Sequence, residues 1–85
     1  MSDIDSFKEK LEAQYTFPVL YKFKFIVPKN NVDQVIKLFA KHDVQLRPSK
    51  KGTYQSVTAS VMVESSDKII DTYKEASKVE GIISL

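Results

Sequence analysis

The sequence contains no cysteine and only one histidine among its 85 residues. Without cysteine, the chain can form neither disulfide bonds nor thiolate metal sites. A single histidine with scattered carboxylates has no spacing that is typical of metal ligands. We therefore expect no metal and no cofactor, and the lack of cysteine fits a reducing cytosol.

Neither sign of charge dominates, and the chain has no long apolar run. Its 13 basic and 11 acidic residues leave a net charge of +2, which is small for a nucleic-acid-binding protein. The apolar stretches are far shorter than a membrane span, and the acidic start Met1–Asp5 is not followed by the apolar segment of a secretion signal. These features predict a cytoplasmic protein that binds no membrane, and they argue against nucleic acid as a partner.

What is present predicts one folded domain with alternating elements. The apolar fraction of 42% is ordinary for a globular protein. Hydrophobic spacing and turn residues predict helices over 2–14, from Val32 to near His42 and Asp43, and after the cap Ser65–Ser66–Asp67. They predict strands over 19–27, 44–47, 54–64 and 82–85, with turns at 28–31 and 48–52 and at Gly81.

The two long strands should each have one buried face. In the third strand, the inward side chains are Val57, Ala59, Val61 and Val63, and the outward ones are Tyr54, Ser56, Thr58, Ser60 and Met62. In the first strand, the inward set is Tyr21, Phe23, Phe25 and Val27, and the outward set is Leu20, Lys22, Lys24 and Ile26. In the short second strand, Val44 and Leu46 should point inward.

This order, β-α-β-β-α-β, predicts a ferredoxin-like α+β fold. Right-handed crossovers place both helices on one side of a four-stranded antiparallel sheet of order 4-1-3-2. The other sheet face has no predicted helix to cover it, and it carries Lys22, Lys24, Ser56, Thr58 and Met62. We divide the chain into an N-terminal helical extension, 1–14, and a single ferredoxin-like domain, 15–85.

Two helix starts carry further predictions. Ser2 or Asp3 can cap the first helix, whose stripe of Ile4, Phe7 and Leu11 packs on its own domain or, alternatively, serves a partner or dimer contact. Asn31 and Gln34 have the spacing of a capping box at the start of the second helix.

No arrangement of residues predicts catalysis, so we do not expect an enzyme. His42 falls near a helix end, where it is exposed, and the serines fit strand and cap positions. Lys50–Lys51–Gly52–Thr53 lacks the first glycine and the following helix of a phosphate-binding loop. The RNA-recognition fold shares this topology, but Thr53 and Gln55 stand where its stacking rings would lie.

The segment from Arg47 to Thr58 resembles a motif of the YbeD-like family of small bacterial proteins. In that family, a basic residue, Pro-Ser, a small or basic pair, Gly, a variable residue, Tyr and then Ser-Val recur, as in residues 47–57 here. Phe17–Pro18, followed by Tyr21, Phe23 and Lys24, resembles the family's first strand. The resemblance covers roughly residues 15–85.

The resemblance implies a ferredoxin-like fold similar to ACT domains, which are regulatory modules that bind amino acids. The family is described as being of unknown function, with a link to lipoate metabolism for some members. ACT domains bind ligand at a glycine-bearing turn after the first strand, and the corresponding turn here, 28–31, has no glycine. The resemblance thus favours a regulatory or ligand-binding module without supporting ACT-type amino-acid binding.

The motif permits two interpretations. It can be a tight hairpin that holds strand register, with Pro48 limiting one strand and Gly52 adopting a positive φ. Alternatively, it forms a site for a small anionic ligand or an acidic protein partner, made by Arg47, Ser49, Lys50, Lys51, Gly52, Tyr54 and Ser56, beside the open-face residues Lys22, Lys24 and Thr58. A protein-interaction adaptor acting through the open face or the N-terminal helix is the second functional hypothesis, with a homodimer among the partners.

Overall fold

The computed structural model describes residues 3–85, apart from the side chain of Ile4. The elements in chain order are α1 (Asp3–Gln14), β1 (Val19–Pro28), a 3-10 turn (Lys29–Asn31), α2 (Val32–Leu38), β2 (Asp43–Pro48), β3 (Tyr54–Val63), α3 (Ser66–Ala76) and β4 (Ile83–Ser84). The cap predicted at Ser2 and the place of Ile4 in the apolar stripe lie outside the described residues. No helix in the described range is long and apolar enough to cross a bilayer.

The four strands form one antiparallel sheet in the order β2-β3-β1-β4. This is the predicted order, and the fold is the predicted ferredoxin-like two-layer sandwich. The long pair β1 and β3 is in register over its whole length, from Val19 opposite Val63 to Pro28 opposite Tyr54. That pairing sets the position of every side chain on both sheet faces, because directly opposite residues point to the same side.

The core lies between the sheet and the helices. The inward set predicted for β3 is buried, as are Phe23, Phe25 and Val27 of β1, and Tyr21 is partly buried against the same core. Helix α3 contributes Ile69, Ile70 and Ala76. The predicted outward residues of both strands are exposed or only partly buried, so the alternation confirms which sheet face meets the helices.

Helix α1 packs against α3. Leu11 is only 3% exposed, and the Phe7 and Tyr73 rings meet edge to face at 5.9 Å. The hydroxyl of Ser66 donates to a Glu12 carboxylate oxygen at 3.0 Å. Helix α1 therefore packs on its own chain, as one of the two predicted alternatives states. The division of the chain into 1–14 and 15–85 stays a prediction.

Two titratable groups have shifted pKa values, and both lie in this helical layer. The pKa of Lys8 is raised, first because it hydrogen-bonds Asp67 and then because it is attracted to that carboxylate at 3.0 Å. Burial raises the pKa of Tyr73, and its hydroxyl contact with Tyr21 at 3.0 Å adds to the effect. The ring of Tyr21 also meets that of Tyr15 at 5.6 Å, so these three tyrosines share one cluster.

The second helix is shorter than predicted. It ends at Leu38 rather than near His42 and Asp43. The amide of Phe39 donates to Ile36, three residues back, and the amide of His42 donates to the Phe39 carbonyl at 2.9 Å. This tight turn keeps the Phe39 ring in the core, 2% exposed, and lets β2 begin at Asp43.

One smaller prediction was wrong, and one residue on the predicted face is more exposed than expected. Asn31 makes no side-chain cap; it instead donates to the Glu80 carbonyl at 2.9 Å and accepts from Gln34 at 3.4 Å. Leu46 pairs with the buried Val57, and so lies on the helix-facing side, yet it is 46% exposed. The reason is that β2 is an edge strand and the seven-residue α2 does not extend over it.

Candidate functional site

The predicted site residues of the sheet meet in a depression on its uncovered face. This depression has a volume of about 390 Å³ and is lined by Lys24, Gln45, Leu46, Arg47, Ser56 and Thr58. Four of these six were predicted, from the motif or from the open face. We call this group the sheet-face site.

Strand register explains why these side chains come together. Thr58 of β3 lies opposite Lys24 of β1 on one side and opposite Gln45 of β2 on the other. One step along the sheet, Arg47 lies opposite Ser56. The long side chains of Lys24 and Arg47 thus flank a middle strand that presents two hydroxyl groups.

The β2–β3 connection is held by its own backbone. The amide of Ser49 donates to the Tyr54 carbonyl at 2.9 Å, and the amide of Tyr54 donates to the Ser49 hydroxyl at 3.2 Å. The amide of Gly52 donates to the Ser49 carbonyl at 3.0 Å, with a φ of 73° at the glycine. Ser49 and Gly52 therefore shape the turn, as the hairpin interpretation of the motif requires.

The exposed side chains of this turn lie beside the sheet-face site. Ser49, Lys50, Lys51, Thr53 and Tyr54 line a second depression of about 310 Å³. The Tyr54 ring is 42% exposed. Both lysines are exposed, so they are free to reach toward an anion at the rim.

A third depression joins the first two. It has a volume of about 200 Å³ and is lined by Ile26, Arg47, Pro48, Ser49, Tyr54, Gln55 and Ser56. It shares Arg47 and Ser56 with the sheet-face site, and Ser49 and Tyr54 with the turn. Gln55 also lines it, although its side chain belongs to the helix-facing side of β3, opposite the buried Val27.

The structure therefore brings together the predicted Arg47, Ser56, Lys24 and Thr58, with Lys50 and Lys51 at the rim. Lys22 lies opposite Ser60 and lines none of the three depressions. Sequence reasoning missed Gln45 and Ile26 as site residues. The signal for both was available, because each alternates with inward residues in a predicted strand.

The chemistry of the sheet-face site suits an anion. Its lining contains one guanidinium, one ammonium and two hydroxyls, and no carboxylate. Arginine binds carboxylate or phosphate oxygens with two parallel hydrogen bonds, and lysine adds a point charge. A larger depression of about 460 Å³ near the start of α3 includes Glu64, Asp67 and Asp71 in its lining. Its acidic lining would repel the same ligand, so volume alone does not identify the site.

Sequence comparisons place the chain among known proteins. Residues 12–85 match the family described as "Protein of unknown function (DUF493)". A UPF0250 protein of Shewanella oneidensis is 31% identical over 80 residues, which cover 86% of this chain and 91% of the relative. A UPF0250 protein of Haemophilus influenzae is 32% identical over 80 residues, covering 86% of this chain and 87% of the relative.

A third relative, a UPF0250 protein of Yersinia pestis, is 30% identical over 80 residues, with 86% of this chain and 92% of the relative covered. No solved structure gives a significant match. The match of the family over most of the chain confirms the resemblance carried by Arg47 to Thr58. This chain belongs to the DUF493 family, the YbeD-like group of bacterial proteins of unknown function.

Proposed function

We propose that this protein is a non-catalytic, regulatory module that binds a small molecule through its carboxylate or phosphate group. The anionic group would lie over Ser56 and Thr58, between Lys24 and Arg47. The observation that carries this proposal is the lining of the sheet-face site, where cationic and hydroxyl side chains converge without a carboxylate.

The neighbouring depression suggests the rest of the ligand. Beside Arg47, it offers the side chain of Ile26, the ring of Pro48 and the half-exposed ring of Tyr54. Its volume of about 200 Å³ accommodates a short apolar body of a few carbon atoms. A small acid with an apolar tail therefore fits the two depressions better than a uniformly polar anion.

The position of His42 supports binding rather than catalysis. It is exposed and precedes the start of β2, whereas Arg47 lies near the other end of that strand. Five residues of extended chain separate the two by roughly 17 Å. The histidine is therefore too far away to act as a base for a ligand held by Arg47.

A thermal-shift panel tests the proposal. The probes are amino acids, lipoate-like acids, nucleotides and inorganic phosphate, each added to the purified chain. A ligand at a hundredfold excess over its Kd stabilises the fold by about 2.7 kcal/mol. For a domain of this size, that corresponds to a rise in Tm of roughly 10–20 °C.

Variants assign any shift to the site. Lys24→Gln and Ser56→Ala should each reduce the stabilisation by the ligand. Lys37→Gln is the control, because it removes the same charge from an exposed position of α2 on the other side of the sheet, and it should not reduce the stabilisation. If no probe raises the Tm, or if Lys37→Gln loses as much as Lys24→Gln, the proposal is contradicted.

A protein-interaction adaptor is the second candidate, favoured by one observation. Leu20 and Met62 lie opposite each other on the uncovered sheet face and are 54% and 61% exposed. Large exposed apolar side chains mark contact surfaces. Met62→Ser should abolish capture of such a partner, whereas Lys24→Gln should not. Helix α1 is less suited to this role, because Phe7 and Leu11 already pack within the chain.

A further inference from the structure

The outer edge of β2 is an uncovered strand edge. Strand β2 lies at one end of the sheet and pairs only with β3 within residues 3–85. Alternate residues of an edge strand direct their backbone N–H and C=O groups away from the sheet, where another strand can pair with them. Five of its six residues are exposed, so the edge is accessible.

The sequence of this edge is symmetric in a way that permits self-pairing. Asp43 and Arg47 stand two residues on either side of Gln45, and Val44 and Leu46 stand one residue on either side. If two copies pair antiparallel about Gln45, Asp43 of each copy lies opposite Arg47 of the other. Val44 of each copy then lies opposite Leu46 of the other.

We propose that two copies of this chain associate through β2, antiparallel and centred on Gln45, to form one continuous eight-stranded sheet. Side chains directly opposite each other in antiparallel strands have Cβ atoms about 5 Å apart. At that distance, the Asp43 carboxylate and the Arg47 guanidinium of the second copy form an ion pair. The two-fold axis makes this pair occur twice.

Neighbouring registers are less favourable. Only registers centred on a residue keep the helices of both copies on the same side of the joined sheet. Centring on Val44 places Arg47 opposite Lys41 of the second copy, which opposes like charges. Centring on Leu46 places Arg47 opposite Gln45 and leaves Asp43 without a cation. Opposite charges therefore select the register centred on Gln45.

The exposure of Leu46 fits the same arrangement. Leu46 is on the helix-facing side but is 46% exposed, because no element of its own chain covers it. In the proposed pair, it gains Val44 of the second copy as a cross-strand neighbour on that face. An inward-pointing charge at this position would hinder strand pairing, and the chain has a leucine there instead.

In this dimer, Asp43 of the second copy lies beside Arg47 on the uncovered sheet face, so the dimer and the proposed anion binding share one guanidinium. The Arg47 guanidinium has several N–H donors, so a contact with a second copy at the strand edge leaves donors for an anion above the sheet. The test uses no ligand, and its result therefore stands whether or not the sheet-face site binds one.

Sedimentation velocity over a concentration series tests the dimer, with a species of twice the 9.7 kDa chain mass expected. Asp43→Arg and Arg47→Asp each oppose like charges twice, and each should weaken the dimer by about tenfold or more. The double variant restores both pairs with reversed sign and should recover the dimer. Leu46→Lys should also dissociate it, while Met62→Lys, at an exposed site away from β2, should not.

A wild-type chain that stays monomeric up to about 1 mM, where only very weak association would escape notice, overturns the proposal. So does a single charge variant that dimerises as well as wild type. A folded double variant that remains monomeric, checked by circular dichroism, overturns the register. If Met62→Lys dissociates the dimer as strongly as Leu46→Lys, the interface is not β2.

Discussion

Two glycines with the same backbone conformation should respond very differently to alanine. Gly52 and Gly81 have φ values of 73° and 78°. An added Cβ at Gly52 would meet no atom within 4 Å, whereas at Gly81 it would lie 2.7 Å from Cγ and 3.2 Å from Cδ of Pro28. The pair therefore separates the cost of backbone conformation from the cost of crowding.

The magnitudes follow from these two contributions. A non-glycine residue in the left-handed region destabilises the folded state by about 1–2 kcal/mol. Alanine also lowers the conformational entropy of the unfolded chain, which offsets about 0.4–1 kcal/mol of that loss. Gly52→Ala should thus lower the free energy of unfolding by about 1 kcal/mol. Crowding against the stiff ring of Pro28 adds about 1–3 kcal/mol. Gly81→Ala should therefore cost about 2–4 kcal/mol.

Urea unfolding followed by far-UV circular dichroism measures both losses, with an unchanged m value as the sign that only stability changed. Pro28→Ala removes the ring that the new methyl group would meet. In that background, Gly81→Ala should cost no more than Gly52→Ala, and the difference is the coupling energy of the contact. Equal losses for the two alanine variants in the wild-type background would refute the reasoning.

Three further outcomes are expected. Leu11→Ala should cost about 2–4 kcal/mol in urea unfolding because the side chain is buried between helix and core; a loss below that of an exposed control such as Glu9→Ala would show that α1 contributes nothing. Ser65→Ala should cost about 1 kcal/mol, because the hydroxyl accepts the Lys68 amide at the start of α3; the same assay measures it, and no loss contradicts the cap. Since the pKa of Tyr73 is raised in the folded chain, its contribution to stability is full below the ordinary tyrosine pKa and is lost as pH rises above it. An ultraviolet titration should show one tyrosine ionising late, and Tyr73→Phe should remove that step.

Strand faces were predictable because their alternation is set by burial on one side. Phe23 and Phe25 had to share a face with Val57 and Val61 for any two-layer packing to work. Helix ends were less predictable. Residues 39–42 are compatible with a helix. Helix α2 ends at Leu38 because Phe39 packs in the core and β2 begins at Asp43.

The hydrogen-bond partners of polar side chains also could not be predicted from the sequence. Asn31 has the residue type of a cap, but its Nδ2 donates to the Glu80 carbonyl at 2.9 Å and its Oδ1 accepts from Gln34 rather than from a backbone amide of α2. Periodicity placed Leu46 on the correct face without saying whether anything covers that face. The exposed fraction of a side chain at a sheet edge depends on whether a helix covers it, and the alternation of residues in a strand does not show this.

Four of the six residues that line the sheet-face site were predictable. The motif supplied Arg47 and Ser56, and alternation supplied Lys24 and Thr58. Their meeting depends on the register that places Thr58 between Lys24 and Gln45, and this register follows from turn lengths and pairing across the sheet. The outward face of Gln45 was predictable from alternation in β2, but its place opposite Thr58 was not.

The distribution of tyrosines gives the protein a built-in optical reporter. The chain has four tyrosines and no tryptophan. Tyr15 and Tyr73 each contact Tyr21 on the helical side, whereas Tyr54 is the half-exposed ring beside the sheet-face site. Fluorescence excited near the tyrosine band therefore divides into a signal from the packed helical side and a signal from the ring beside the proposed binding site. Comparison with a Tyr54→Phe chain separates the two without any attached dye.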